Sequence, residues 1–324
     1  MGRVLAISLN PALDLTIRLG ALRLGDVNRS ESTEMDAAGK GNNVARVLAG
    51  LGHEVTVSGF LGEANQGAFE RAFHDWGVTD AFVRVAGETR VNAKLAEANG
   101  RVTDVNGPGA VIDASAFAAF EQRLNECLAT CDVVVISGSL PPGVTPAQLA
   151  ALVTRIRDAG VPVWLDTSGA ALKAGLAAKP AAAKPNETEL AEWAGEALED
   201  KAALITAARR LNASGVDDVL LSVGAEGVIW VSGTLLLQAT PPKVEVVSTV
   251  GAGDTLLAAA LHGRIEGWTH ERTLRFATAL SAECVRHVGV GNPAAPDFAE
   301  LEQHIVLHSL DSGHSGPQAG EMPA

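Results

Sequence analysis

Short apolar runs recur along the chain, separated by stretches whose apolar positions follow a helical period. Residues 4–9 form the first run and stop at Asn10-Pro11; residues 55–60 form a second, and others lie at 133–136, 161–165 and 219–223. Runs of this length bounded by turn residues predict buried strands. Helical patterns fill the spaces between them, at 42–49, 114–128, 146–158, 170–178, 187–194 and 202–211, with a nearly all-apolar one at 255–265. Strands alternating with helices predict βαβ units and a mostly parallel sheet, an α/β fold. In such a sheet a ligand is expected outside the carboxyl ends of the strands. Two stretches break the alternation. Residues 14–33 and 88–105 carry short semi-polar β patterns, the second turning at Ala98-Asn99-Gly100. They predict a small separate sheet that closes over a site as a lid. The tail 309–324, rich in Gly, Ser and Pro, is expected to be disordered.

Composition narrows the class. Hydrophobic residues make up 47% of the 324, which excludes disorder for the bulk of the chain. Aromatics are only 4% and Tyr is absent, so the core must rest on Ala, Val and Leu. The 25 Lys and Arg against 38 Asp and Glu leave a formal net charge of −13, the wrong sign for a general nucleic-acid binder. No apolar run approaches the ~18 residues that a spanning helix needs. The first ten residues lack the length and cleavage pattern of a signal peptide. Three cysteines, an odd number in a long chain, make no disulfide framework. Together these features predict a soluble, intracellular α/β protein.

The loops after the predicted strands hold the residues with chemistry. Ser248-Thr249-Val250-Gly251-Ala252-Gly253-Asp254 leads into the apolar pattern at 255–265. Glycines ahead of a helix let backbone N–H groups converge where the helix dipole favours an anion. Asp254 would stand beside that anion, although a capped and tightly packed helix start explains the same residues. Ala38-Gly39-Lys40-Gly41-Asn42-Asn43 opens another helix, with a Lys able to pair with phosphate and Asn able to bind hydroxyls. The spacing is not that of a Walker A loop, and a plain Gly-rich turn is the other reading. Ser137-Gly138-Ser139, Lys184-Pro185-Asn186 with Glu189, and Ser222-Val223-Gly224 with Gly227 follow further strands, and each alone reads equally as a turn. There is no Gly-x-Ser-x-Gly elbow and no dinucleotide fingerprint after the first strand. The eight His residues and the Cys127/Cys131 pair offer no zinc-ligand spacing.

In this order the motifs resemble the ribokinase-like (PfkB) family of carbohydrate kinases. The likeness runs from Ile7 to about Gly291 and is most specific at Ala38-Gly39-Lys40-Gly41 with Asn43, Asp166, Lys184-Pro185-Asn186 and Gly251-Ala252-Gly253-Asp254. Within the family the pattern is most similar to bacterial enzymes acting on fructose 1-phosphate. The resemblance implies a three-layer ribokinase-like domain over residues 1–308, with a lid from about 12–34 and 88–106. It implies Asp254 as catalytic base and the backbone of Gly251, Ala252 and Gly253 as an anion hole. Asp14, Gly39 and Asn43 would hold sugar hydroxyls; Lys40 and Arg90 would read the substrate's phosphate, with Ser139 and Asn92 nearby. ATP would lie against Lys184, Asn186, Ser222, Gly224, Gly227 and Ser248. Glu189 would organise Mg²⁺ through water, and carbonyls near Ser248 and Val250 would hold a monovalent cation such as K⁺. The implied reaction converts ATP and D-fructose 1-phosphate to ADP and fructose 1,6-bisphosphate. It would run in a cytoplasmic homodimer clasped through the lids, without nucleic-acid or membrane partners. Kinases of the same family acting on tagatose 6-phosphate or fructose 6-phosphate are the alternatives, as is a non-catalytic sugar-phosphate or nucleotide sensor.

Overall fold

Val4, Leu5, Ala6 and Ile7 are each at most 1% exposed on β1 (Arg3–Ser8). Val4 and Ala6 enter one core cluster, while Leu5 and Ile7 enter another on the opposite face. A strand covered on both faces has no polar side, which is why its sequence is a continuous apolar run. The computed structural model describes residues 1–310. After β1 come β2 (Ala12–Leu19), β3 (Ser32–Ala38), helix α1 (Lys40–Gly50), β4 (Glu54–Gly62), α2 (Gly67–Trp76), β5 (Thr79–Asp80) and β6 (Val83–Val85). The middle of the chain forms β7 (Val91–Glu97), β8 (Val102–Val105), α3 (Ala114–Leu128), β9 (Val133–Ser137), α4 (Pro146–Asp158), β10 (Val163–Asp166), α5 (Gly169–Ala177) and β11 (Ala182–Ala183). It continues through α6 (Glu187–Ala194), α7 (Lys201–Ala213), β12 (Asp218–Ser222), β13 (Val228–Ser232), β14 (Leu235–Thr240), α8 (Ala252–Ile265), α9 (His270–Cys284), α10 (Phe298–Gln303) and β15 (Val306–Ser309).

The large sheet has the order β15-β14-β13-β12-β11-β10-β9-β1-β4-β5, with β6 also paired to β4. It is parallel from β5 to β12 and antiparallel from β12 to β15. Helices α1, α2, α8, α9 and α10 contribute to one core cluster and α3 to α7 to the other, giving three layers. Helix α8 is buried from Asp254 to Gly263, as its apolar sequence requires. The antiparallel wing is an addition to the expected parallel sheet. Its last strand also shortens the expected tail: Ser309 pairs with Leu237, and Leu310 N donates to Leu236 O at 2.9 Å. The rest of that tail lies outside the described residues. Among the described residues no helix is long and apolar enough to cross a membrane.

The small sheet has the order β3-β2-β7-β8. Its register sets Met35, Leu15, Ala93 and Val105 in one row, and Thr33, Ile17, Leu95 and Thr103 in another. Because side chains alternate across a strand, both rows share one largely apolar face. The other face carries the rows Asp36, Asp14, Asn92 and Glu34, Thr16, Lys94, Asp104. The binary pattern is thus two-sided here, whereas central strands of the large sheet such as β9 bury apolar residues on both faces.

Packing also joins two histidines 209 residues apart. Gly2 N donates to His53 Nδ1 at 3.0 Å, so the other ring nitrogen, Nε2, carries the proton and donates to His262 Nδ1 at 2.8 Å. With Glu266 these side chains bring three possible ligand atoms within 4.8 Å, a grouping that residue spacing does not reveal. The ring lone pairs that a metal would need are already occupied by donors, at His53 by Gly2 N and at His262 by His53. Both rings are held neutral: burial lowers the His53 pKa, and burial followed by the neighbouring His53 lowers that of His262 to about 4. Below pH 6.5 the unfolded chain takes up these protons and the folded chain does not, so stability falls as the pH drops from 6.5 toward 4. The melting temperature should decline over that window, and less steeply in His262→Asn, whose amide oxygen accepts from His53 without titrating. Equal slopes in a pH series of melting curves would remove the histidine pair as a cause.

Candidate active site

The carboxyl ends of β1, β9, β10 and β12 open on the same side as the start of α8. Gly251 is the N-cap of α8, with φ 84°, and no side chain caps the helix. The Ala252 N–H has only a long 3.4 Å bond to Thr249 O. The first turn of α8 therefore offers backbone N–H groups and the positive end of the helix dipole. A Cβ at Gly251 would come 2.6 Å from Gly289 O, so this turn admits only glycine without a shift of the neighbouring loop.

Asp254 stands in that first turn, 5% exposed. Its Oδ2 accepts from Asn43 Nδ2 at 2.7 Å, a bond across 211 residues that locks the two motifs together. Burial, and then the charge of Asp166, push the Asp254 pKa up to about 6, against the opposing pull of Lys40, Asn43 and Lys184. A carboxylate raised to this range accepts a proton readily near neutral pH. Asp166, at the end of β10 and 1% exposed, pairs at 3.5 Å with Lys40 through Oδ1 and with Lys184 through Oδ2. The pKa of Lys40 is raised mainly by Asp166, with Asp254 and Glu189 adding to it. Lys184 Nζ also lies 3.2 Å from the position of a Cβ on Gly253. Two ammonium groups, one buried carboxylate and an uncapped helix start thus converge beside Asp254.

The Gly-rich loop reaches this point because Gly39, with φ 113°, turns β3 directly into α1, so Lys40 and Asn43 both lie within the helix. Asn10 Nδ2 donates to Ser139 Oγ at 3.2 Å, joining the loops after β1 and β9. Asn186 and Glu189 are tied into a reciprocal capping box at the start of α6, so their plain structural reading is realised. Ser222 forms an isolated bridge with Asn186, and Gly224 and Gly227 flank the short turn between β12 and β13. Ser248 Oγ accepts from Val250 N at 3.2 Å, while Val250 O faces Cys284 Sγ at 3.8 Å. Arg90 is more heavily engaged than expected: its guanidinium donates to the carbonyls of Asn10, Pro11 and Gly107 at 2.8, 3.3 and 3.0 Å. It pins the start of β7 to the loop after β1. On the polar face of the small sheet Asp14 accepts from Asn92 at 3.0 Å and forms an ion pair with Lys94, a residue absent from the expected set.

The crevice also holds polar atoms that the protein itself leaves unpaired. Ser137 Oγ and Thr167 Oγ1 are buried with no hydrogen-bond partner; Ser137 is the register neighbour of Asp166 on β9 and β10, and Thr167 follows Asp166 in the chain. A buried polar atom left unpaired costs about 1–3 kcal/mol, so a cluster of them at strand ends marks a place for polar ligand atoms or water.

A doubly covered, mostly parallel sheet with an uncapped helix start and an adjacent buried carboxylate has the chemistry to receive an anionic ligand. The family model for pfkB family carbohydrate kinases matches residues 8–297, and the chain belongs to that family. It is 44% identical over 308 residues to a 1-phosphofructokinase of Vibrio cholerae, covering 95% of this chain and 97% of the relative. It is 41% identical over 309 residues to the 1-phosphofructokinase of Escherichia coli K12, covering 95% and 99%. Among solved structures, phosphofructokinase-2 of E. coli in complex with potassium superposes with a TM-score of 0.87 at 29% identity, covering 94% of this chain and 99% of that one.

Proposed function

We propose that this chain is an ATP-dependent 1-phosphofructokinase that phosphorylates the 6-hydroxyl of D-fructose 1-phosphate. The observation that carries the reading is Asp254, a buried carboxylate with raised pKa in the first turn of an uncapped helix. Relatives named 1-phosphofructokinase at 41% and 44% identity support the choice of sugar phosphate. Asp254 takes the proton of the 6-hydroxyl as its oxygen attacks the γ-phosphorus; the bond to the β,γ-bridging oxygen breaks and ADP leaves. The N–H groups of Gly251, Ala252 and Gly253 hold the transferring oxygens, with Lys184 beside Gly253. Asp14, Gly39 and Asn43 hold sugar hydroxyls, and Lys40 faces the anionic substrate, with Ser139 and Asn92 alongside. Arg90 shapes this end by fixing the loop after β1. Asn186, Ser222, Gly224, Gly227 and Ser248 line the nucleotide side. Glu189 would hold Mg²⁺ through water, which when bound neutralises the β- and γ-phosphate oxygens; carbonyls of Ser248 and Val250 would take a monovalent cation.

The apolar face of the small sheet supports a homodimer through the lids, and the use of ATP and a sugar phosphate suits a cytoplasmic enzyme. Met35, Val91 and Val105 are 52%, 38% and 59% exposed on that face, an arrangement suited to a second copy of the same sheet. ADP release across a panel of sugar phosphates tests the substrate. The expected kcat/KM is at least about tenfold higher for fructose 1-phosphate than for fructose 6-phosphate or tagatose 6-phosphate. Tenfold corresponds to ~1.4 kcal/mol of differential transition-state binding, within reach of one polar contact. Preference for either 6-phosphate would move the assignment within the family, and preference for unphosphorylated fructose would remove the role given to Lys40.

A further inference from the structure

Asp14 presents a difficulty for the substrate proposed above. A carboxylate suits sugar hydroxyls, but its charge repels a dianionic sugar phosphate, and the whole chain carries −13. Asp36 is its register neighbour on β3, and Glu34 and Asp104 lie in the next row. Lys94 is the single cation among the residues of these two rows. Its ammonium pairs with Asp14, and the two side chains are only 18% and 15% exposed. The other Asp14 oxygen accepts from Asn92, whose own Oδ1 takes the Gly107 N–H at 3.2 Å. Of the two cations expected to face the phosphate, Arg90 is occupied with three backbone carbonyls, and Lys40 shares its charge with Asp166 at 3.5 Å while its side chain stays 44% exposed.

We propose that Lys94 is a positioning residue that sets selectivity for a phosphorylated sugar: it fixes both the orientation and the effective charge of Asp14. With Lys94 in place the Asp14 oxygens are held for sugar hydroxyls while the pair as a whole is neutral toward the substrate's phosphate. The inference rests on the reading of Asp14 as a sugar ligand. A half-buried cross-strand ion pair also stabilises a sheet, so the test must separate the two roles.

Steady-state kinetics on wild type, Lys94→Met, Lys94→Arg, Asp14→Asn and the Asp14→Asn/Lys94→Met double variant make that separation, together with melting curves. Lys94→Met should raise KM for fructose 1-phosphate about tenfold or more while KM for ATP stays within about twofold. Lys94→Arg should recover most of the loss. The double variant should be no worse than Asp14→Asn alone, because neutralising Asp14 removes what Lys94 offsets. Additive losses in the double variant, equal rises in both KM values, or a lowered melting temperature with unchanged kinetics would each overturn the proposal. A wild type that phosphorylates no sugar phosphate in the panel overturns the functional reading itself, an outcome separate from any behaviour of the variants.

Discussion

Replacing Asp254 by Asn is expected to leave a folded, ATP-binding protein with almost no turnover. Loss of a general base costs about 10²–10⁴-fold in rate. The structure explains why folding should survive. At pH 7 the wild type holds Asp254 as a buried carboxylate whose pKa burial raises to about 6, so the charge is a cost to the folded state. The substituted amide would still accept from Asn43 through its oxygen and would carry no charge. The variant's melting temperature should therefore equal or exceed that of wild type above pH 6. The same raised pKa gives the wild type a pH signature: kcat/KM should fall below about pH 6 as Asp254 becomes protonated. A variant retaining more than about a tenth of the wild-type kcat, or a flat acid limb, would show that another group takes the proton.

Substituting Gly251 by Ala should have the second large effect, on kcat more than on either KM. Gly251 has φ 84°, a conformation that costs an L-residue about 1–2 kcal/mol. The added Cβ would also lie 2.6 Å from Gly289 O, displacing either the loop or the first turn of α8. That turn supplies the N–H groups proposed for the transferring phosphoryl, and loss of one such donor costs roughly 10²–10³ in kcat. Rapid-quench or steady-state rates would show the loss directly. A kcat within about threefold of wild type would mean that the turn relaxes without affecting transfer, and that the charge stabilisation comes from elsewhere.

These expectations draw unequally on sequence and on structure. Helices α3, α4 and α6 begin and end at the residues that their apolar period predicts, because each carries its own cap or apolar stripe. The buried strands are legible for a similar reason: two-sided burial writes a continuous apolar run into local sequence. The turn before α8 and the Gly-rich turn before α1 are legible because positive-φ geometry restricts them to glycine. The β13–β14–β15 wing is not, since an apolar run gives no sign of which neighbour it pairs with or in which direction.

Local sequence thus dictates the central buried strands, the capped helices, the two-sheet division and the cluster of small and charged residues at strand ends, all properties carried by neighbours along the chain. The choice of partners belongs to the folded state. Folding sets Asn43 against Asp254, puts Lys40 and Lys184 on opposite oxygens of Asp166, occupies Arg90 with three carbonyls, and gives Asp14 to Lys94. It likewise joins His53 to His262 and raises the Asp254 pKa. Hydrogen bonds, ion pairs and desolvation act over a few ångströms of space, and the parallel crossovers that bring these side chains together separate them by tens to hundreds of residues in sequence.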